Sequence, residues 1–515
     1  MRCIPAVLLT MMLISSVVVL AACPSVDGDY VTVDDFVFDI TGPDSATLIE
    51  YDNETEINVS IPPDFIYSGN TYKVTAIEAT FSQDCIITIS IPEFVKTVES
   101  YCFTAPNLTT ITVTGGTNLK AVDGVLFNYS QSKLIKYPCG KTDNEYTVPD
   151  SVVQIEPYAF DDSKVKKVIT GDNLVIIGSG AFYNTSLMTT IVIPETSSLT
   201  MIGDNAFCNS AITSIALPWS LSFLGAYALE NTKLTTVSIP YNLEHIGNGA
   251  FSKCSLLTAF NSDNSFYTVE DGVLFYTSKN LKTLAAYPAG KEGTEYTIPA
   301  DVNSIEPFAF SGTKNVEKVI LNKSLTFIPE MSFYDCGSLT TIDLSNITVI
   351  DNMAFDHCEK LTGVEFSDRL TYIGYASFSS TAIETIEIPS TVTFIGTGAF
   401  SDCMSLREIT FAESIKATVT SSILSGSVNL QKITINSKDL TLEEYSLTVG
   451  TSEENKATVD VLVPSGYRLP DNVTNDFTTL NVSYIGERPY PWVNIVGAVV
   501  CAIGIIGILY GMRQV

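Results

Sequence analysis

Four cysteines in this sequence follow a phenylalanine at a fixed distance. Cys254, Cys336, Cys358 and Cys403 each lie three residues after a Phe, among 11 cysteines in a chain of 515 residues. Thiols form disulfides in an oxidising compartment, bind metals or act as nucleophiles. The constant spacing favours a recurring structural slot filled by a small, buried, free thiol. Disulfides are the alternative, although parallel side chains disfavour a bridge between Cys336 and Cys358.

Residue types that serve catalysis or metal binding are scarce. The two histidines, His245 and His357, stand far apart, and the sequence contains no Cys-x-x-Cys pair. It also lacks nucleophile elbows, phosphate loops and zinc-protease motifs. With 57 Asp and Glu residues, paired acids are expected by chance. The sequence therefore predicts no enzyme, no cofactor and no metal centre.

One set of carboxylates recurs within a pattern. Residues 236–239, TVSI, alternate polar and apolar side chains, as a strand with one buried face does. The third residue of each such run is predicted to face solvent. The predicted binding face comprises the acidic Asp343, Glu365 and Glu387, the neighbouring Glu408, and the apolar Ile169 and Val192. General acidity of the chain is the plain explanation of this acidic strip, and the hypothesis set against it is that the strip binds a basic partner or a divalent cation.

The elements that position these residues recur with a fixed period. The anchors are Phe81, Phe103, Phe160, Phe182, Phe207, Leu229, Phe251, Phe310, Phe333, Phe355, Phe378 and Phe400. Most steps are 22 or 23 residues, which is typical of a solenoid of stacked coils. Each coil is predicted to contain a strand, a turn permitted by a glycine such as Gly247, and a short helical or 3-10 turn that carries the anchor. Stacking is expected to form a parallel sheet.

Two steps between anchors are longer, at 57 and 59 residues. The extra segments, near 121–149 and 269–299, are two copies of one sequence. Each begins with an Asp-Gly pair, which predicts a tight turn between strands. We interpret both segments as hairpin-like structural extensions of a coil, with a lateral contact surface as the alternative.

Two phrases of the repeat carry a family resemblance. IPYNLEHIGNGAFSKCSLLTAF (residues 239–260) and IPSTVTFIGTGAFSDCMSLREITF (residues 388–411) resemble the BspA-like leucine-rich repeat family. The resemblance implies an α/β repeat solenoid with a parallel sheet on its concave face, β-rich caps, and cysteines in the Asn/Cys slot. It also implies an extracellular surface protein, often an adhesin, in bacteria or some protist parasites. A scaffold does not fix its ligand, so function is less determined than fold.

The two ends of the chain resemble targeting segments. Residues 1–22 are typical of a signal peptide, and Cys23 raises the alternative of a lipoprotein. Residues 490–511 predict a C-terminal transmembrane helix, with a buried core helix as the alternative, before a tail at 512–515. Between them we predict an N-terminal cap at 23–75, the solenoid at 76–436, and a C-terminal cap and stalk at 437–489. The expected location is the plasma membrane, in a single pass with the N-terminal ectodomain outside.

Charge and sequons describe the surroundings of the chain. The net charge is −29, which disfavours nucleic acid and favours a basic partner. Candidate N-glycosylation sites are Asn53, Asn58, Asn107, Asn128, Asn184, Asn322, Asn346, Asn472 and Asn481.

The sequence favours a cell-surface protein whose extended extracellular face binds a protein or glycan, in adhesion or in contact with a host or matrix. The first alternative is a passive surface coat or antigen without a specific ligand. The second is a pattern-recognition receptor that acts through a partner, because the predicted tail of four residues is too short to signal.

Overall fold

The computed structural model describes residues 30–485. Regular structure in this range consists of β-strands and one 3-10 turn, Ser100–Cys102. Strands of successive coils pair in parallel, so that Ile155 lies opposite Ile177 and Ile177 lies opposite Ile202. The described chain is therefore a β-solenoid.

The predicted α/β class is wrong for this part of the chain, because the turns around the anchors are not α-helical and only the turn before Phe103 is a 3-10 turn. The Phe160 N–H donates to the Ala181 carbonyl at 2.7 Å, and the Asp162 N–H donates to the Tyr183 carbonyl at 3.0 Å. Alternate amides thus bond the next coil, which removes them from any α-helical ladder. Asp162 also has a left-handed φ of 55°, which helices of L-residues do not tolerate.

Each regular coil has three sides, seen clearly between residues 236 and 257. The long-strand face carries Thr236–Ile239, and the short-strand face carries His245–Ile246. The third side is the anchor turn, residues 249–253, where Phe251 points into the core. In Thr236–Ile239 exposed and buried residues alternate, as the sequence pattern predicts.

The long-strand face is a series of parallel sheets. Their strands are Asn58–Ser60, Thr88–Pro92 and Thr110–Thr114; Tyr146–Thr147, Lys167–Ile169 and Thr190–Val192; Thr236–Ile239 and Ala259–Ser262; Glu295–Thr297, Lys318–Ile320 and Thr341–Ile342; and Thr385–Ile388, Glu408–Phe411, Lys432–Ile435, Ala457–Pro464 and Thr478–Ile485. Between the second and third sheets, residues 211–217 contain no strand. The strands of this face therefore all run in the same direction, but the hydrogen bonding between successive strands is interrupted from one sheet to the next.

The short-strand face includes both inserts. Its first sheet contains Leu119–Val122, Val125–Asn128, Lys133–Lys136, Gln154–Ile155, Ile176–Ile177, Met201–Ile202, Phe223–Leu224 and His245–Ile246. The second contains Tyr267–Glu270, Val273–Ser278, Leu281–Ala286 and Val302–Ile305. The third contains Phe327–Ile328, Val349–Ile350, Tyr372–Ile373, Phe394–Ile395, Thr418–Val419 and Thr441–Leu442. Each of the first two sheets begins with the antiparallel strands of an insert.

A separate sheet stands at the N-terminal end of the described chain. Its strands are Tyr30–Val33, Phe36–Gly42, Ser45–Tyr51, Asn70–Ile77 and Asp64–Tyr67, with Thr97–Val98 joined to Asn70–Ile77. Phe38 of this sheet is fully buried and stacks on Phe65 with ring centroids 4.6 Å apart. The structure describes only parts of the two predicted caps, and their limits stay predictions.

The anchors form the core by stacking on one another. Ring centroids of Phe160 and Phe182 lie 4.8 Å apart, and those of Phe182 and Phe207 lie 5.0 Å apart. Tyr137 and Tyr287, which belong to the inserts, stack on the next anchors at 5.0 Å and 5.1 Å. Each insert therefore contributes one aromatic step to the same ladder.

The cysteines after the anchors are buried free thiols, as predicted. The Cys358 Sγ donates to the Phe333 carbonyl and the Cys403 Sγ to the Phe378 carbonyl, both at 3.1 Å. Every cysteine in the described range is free. Burial raises the pKa of the Cys403 thiol to about 11, so it stays protonated at neutral pH. The thiols serve as hydrogen-bond donors between coils.

Gly247 is required for close packing, which differs from the predicted reason. Its φ lies outside the left-handed region, so it does not supply a special turn conformation. A Cβ at this position would lie 2.3 Å from the Ala226 nitrogen of the preceding coil. Gly225 and Gly396 meet the backbone of their preceding coils just as closely, at 2.5 Å. The glycine row therefore sets how near successive coils approach.

The predicted single-pass membrane topology and plasma-membrane localisation are corrected by the structure. Between residues 30 and 485 no helix is long and apolar enough to cross a bilayer. The segment 490–511, on which the predicted transmembrane helix rested, lies outside the described residues, as do residues 1–22 and Cys23.

Candidate binding face

Three of the predicted acidic residues lie exposed on successive coils of the long-strand face. Asp343 and Glu365 stand at equal register, because the parallel bridges Thr341–Gly363 and Leu344–Phe366 flank them. Glu387 follows on the next coil within the strand Thr385–Ile388. We call Asp343, Glu365 and Glu387 the acidic row.

Elsewhere on the same face, carboxylates are neutralised by lysines of the neighbouring coil. Lys318 Nζ lies 3.2 Å from the carboxylate of Glu295, and Lys167 Nζ lies 2.8 Å from that of Glu145. The acidic row makes no salt bridge with any residue of the described range. Its negative charge is therefore left for solvent or a partner.

Glu408 is placed differently from the acidic row. It lies opposite Thr385 on one side and Lys432 on the other, whereas Glu387 lies opposite Thr410. Lys432 Nζ is 3.5 Å from the Glu408 carboxylate. Sequence reasoning missed this lysine, although Lys432 occupies the same position of its own strand and so signalled the pair.

Asp343 is held by its own turn. Its carboxylate accepts the Ser345 N–H at 2.9 Å. Hydrogen bonds from the Ser345 backbone and side chain lower the pKa of Asp343, so its charge persists below the usual range. The first member of the acidic row is thus fixed in position and ionised.

The two predicted apolar residues are direct neighbours. Ile169 and Val192 lie opposite each other in adjacent strands, and Val192 is 39% exposed. They belong to the sheet that ends at Thr190–Val192, whereas Glu387 lies in the sheet that begins at Thr385–Ile388. Ile169 and Val192 therefore lie in a different sheet from Glu387 of the acidic row.

The histidines and carboxylates do not assemble into a metal centre in the described part of the chain. No group of three His, Cys, Asp or Glu side chains there is arranged to hold an ion. His357 contacts Asp356 in the anchor turn, with Nδ1 2.8 Å from the carboxylate. Burial raises the pKa of Asp356, while His357 opposes that shift.

The predicted glycosylation sites differ in accessibility. The side chains of Asn53, Asn128 and Asn322 are half-buried, and Asn322 Nδ2 donates to the Pro299 carbonyl at 2.7 Å. The remaining sites are exposed, namely Asn58, Asn107, Asn184, Asn346, Asn472 and Asn481. Glycosylation itself stays a prediction.

Comparison with known families matches this architecture. Residues 70–145, 137–197, 176–292, 286–404 and 377–455 match the model of the BspA type leucine-rich repeat region. The matched segments span more than half of the sequence, so the chain belongs to this family. The resemblance inferred from the repeat phrases is confirmed.

Solved structures of bacterial leucine-rich repeat proteins are similar. A leucine-rich repeat protein from Eubacterium ventriosum is 22% identical over 65% of this chain and 88% of its own, with a TM-score of 0.51. A leucine-rich cell surface protein from Faecalibacterium prausnitzii is 22% identical over 79% and 94%, with a TM-score of 0.43. The pneumococcal vaccine antigen PcpA is 18% identical over 88% and 99%, with a TM-score of 0.41. At these identities the first similarity shows the fold alone. No curated protein matches the chain.

Proposed function

We propose that this protein is an extracellular binding scaffold whose acidic row engages a basic segment of a partner protein, in adhesion to a host or matrix. The observation that carries the proposal is the absence of cross-coil lysines at Asp343, Glu365 and Glu387 within residues 30–485, on a face where other carboxylates have them.

Stacked like charges lower the stability of a sheet. Carboxylates on adjacent strands repel one another, which destabilises the sheet by a few tenths of a kcal/mol or more per pair. A protein surface that keeps such an arrangement gains from it when a cationic partner binds. Exposed charge pairs at the rim of an interface mainly raise the association rate and confer salt dependence.

The experiment measures saturable binding of the full-length chain to a panel of matrix proteins and to cells. The triple variant D343N/E365Q/E387Q is expected to bind at least about tenfold more weakly, which corresponds to about 1.4 kcal/mol. Wild-type binding is expected to weaken as salt is raised from about 0.05 to 0.5 M, because salt screens exposed charges.

A matched control removes the same charge from other exposed positions. The variant E359Q/D368N/E413Q replaces three exposed carboxylates of the same region that do not belong to the acidic row. It is expected to bind as the wild type does. Equal losses in both variants would attribute binding to overall acidity, and no saturable binding by the wild type would favour a passive coat.

A further inference from the structure

A cavity of about 240 Å³ lies between the second insert and the coil before it. Among its lining residues are Tyr267 and Tyr276 of the insert strands, Ser252, Glu306, Phe308 and Ser311. The exposed His245 of the preceding short strand and the exposed Glu244 beside it also line the cavity, so the cavity reaches the protein surface.

The first insert fills the equivalent space with its own side chains. Ala286 at the cavity corresponds to Lys136, which precedes Tyr137 as Ala286 precedes Tyr287. Lys136 is fully buried, and its ammonium group pairs with Asp161 and donates to the Tyr158 carbonyl at 3.2 Å. The ammonium group of Lys136 therefore fills, in the first insert, the space that is a cavity in the second.

The coil before the second insert contributes two glycines to the cavity wall. Counting back from the anchors, Gly247 and Gly249 correspond to Glu99 and Tyr101, at four and two residues before Phe251 and Phe103. Gly247 and Gly249 both line the cavity. Glu99 and Tyr101 are exposed, whereas Lys136 is fully buried, so only the replacement of Lys136 by Ala286 removes a buried long side chain.

One carboxylate at the cavity, that of Glu306, lacks the lysine partner that its counterpart in the first copy has. Glu156 of the first copy pairs with Lys133 at 2.7 Å, and both have counterparts in the second copy, Glu306 and Thr283. Glu306 is half-buried and makes neither a salt bridge nor a side-chain hydrogen bond with any residue between 30 and 485. Burial raises its pKa, which records the cost of an unpaired charge there.

Two buried hydroxyl groups also lack partners at the cavity wall. Ser252 and Ser311 are 5% and 3% exposed, and neither hydroxyl has a hydrogen-bond partner in the described chain. Ser311 stands where Asp161 binds the ammonium of Lys136 in the first copy. A hydroxyl oxygen accepts hydrogen bonds from an ammonium group, as a carboxylate does.

We propose that this cavity binds a small primary alkylammonium ion, which takes the place of the Lys136 side chain. Glu306 supplies the opposite charge, Ser252 and Ser311 accept ammonium hydrogens, and the rings of Tyr267, Tyr276 and Phe308 cover the alkyl chain. Aromatic faces attract a nearby cation as well. Because a cavity of about 150 Å³ holds benzene, the ligand has about ten non-hydrogen atoms or fewer. This site is independent of the acidic row.

The test is isothermal titration of the full-length chain with n-hexylammonium and with its neutral isostere, n-hexanol. Hexylammonium is expected to bind at one site and hexanol at least about tenfold more weakly, because a hydrogen-bonded ion pair is lost. Glu306→Gln is expected to weaken hexylammonium binding by about the same factor. Ala286→Lys is expected to abolish it by filling the cavity.

Controls keep the outcome decisive. Glu156→Gln, the matched change in the coil after the first insert, is expected to leave hexylammonium affinity unchanged. Circular dichroism melting verifies that each variant folds, and Glu306→Gln decides the case by itself if Ala286→Lys does not fold. Equal affinity for hexanol and hexylammonium, undiminished binding by Glu306→Gln, or no binding at all would overturn the proposal.

Discussion

The two inserts have the same strand pairing but treat the space beneath it differently. Leu119 lies opposite Asn128 in the first copy, and Tyr267 lies opposite Tyr276 at the same register of the second. In the first copy Lys136 is buried in an ion pair, whereas in the second the equivalent Ala286 lines a cavity. The difference shows that the same hairpin pairing forms above either a buried ion pair or a cavity.

The largest effect is expected for Lys136→Ala. The change leaves Asp161 buried without its partner, and we expect a loss of about 3–5 kcal/mol in the free energy of unfolding. Urea denaturation followed by circular dichroism measures it. Since burial already raises the pKa of Asp161, the loss should shrink as pH falls and that carboxyl takes up a proton.

The double variant K136A/D161S is the control for that prediction. It installs the combination found in the second copy, Ala286 with Ser311, and removes the unpaired charge. It should recover most of the stability lost by Lys136→Ala. A double variant no more stable than the single one would show that packing, and not charge, accounts for the loss.

A second test adds one carbon atom next to the cavity. Gly247→Ala places a Cβ 2.3 Å from the Ala226 nitrogen, and we expect a loss of about 1–3 kcal/mol. The matched change in the first copy is Glu99→Ala, at an exposed position, which should cost about 0.5 kcal/mol or less. The same denaturation experiment compares them, and equal effects would contradict the close-packing role of Gly247.

A third test uses pH to distinguish the unpaired carboxylate of the second copy. The raised pKa of Glu306 means that it is protonated at a higher pH than an ordinary glutamate. The affinity of the protein for hexylammonium should therefore fall by about tenfold as the pH is lowered through the pKa of Glu306. The other titratable groups lining the cavity are Glu244, His245, Tyr267, Tyr276 and Tyr287. Glu306→Gln should remove most of the pH dependence, and an unaltered profile would assign it to one of them.

The smallest expected effect is that of Cys139→Ala. Cys139 is buried and its Sγ donates to the Asp161 carbonyl at 3.4 Å, while the second copy has Ala289 at this position. Because a thiol is a weak donor, we expect a loss of about 1 kcal/mol or less. A loss comparable to that of Lys136→Ala would show that the Cys139 thiol, too, is needed to fill the space beneath the first insert.

The parts of the fold that recur were predictable from the sequence. The period, the stacked anchors and the buried thiols after Phe355 and Phe400 follow from one pattern repeated many times. Apart from the 3-10 turn before Phe103, the helical turn was predicted wrongly, because spacing does not reveal where amides find partners. Left-handed residues such as Asp162 and His357 recur two positions after the anchor, which was the available signal.

The candidate sites were less predictable, since they depend on side chains that lack partners and on a space that is left unfilled. The exposure of Asp343, Glu365 and Glu387 follows from strand alternation, but their lack of lysine partners requires the register of neighbouring coils. The cavity had a signal in the differences between the two inserts, such as Lys136 and Ala286. That signal has meaning only when the structure shows that this position faces the space between coils.

The inserts also divide the interior of the molecule. Leu126 packs in the N-terminal core, whereas its neighbours Val125 and Phe127 pack in the middle one. Leu274 likewise belongs to the middle core, and Val273 and Phe275 to the C-terminal one. Because coils contact only their neighbours, each core can come apart while the next stays intact. A chain pulled from its ends would therefore lengthen in three successive steps and absorb work at each, instead of rupturing at once.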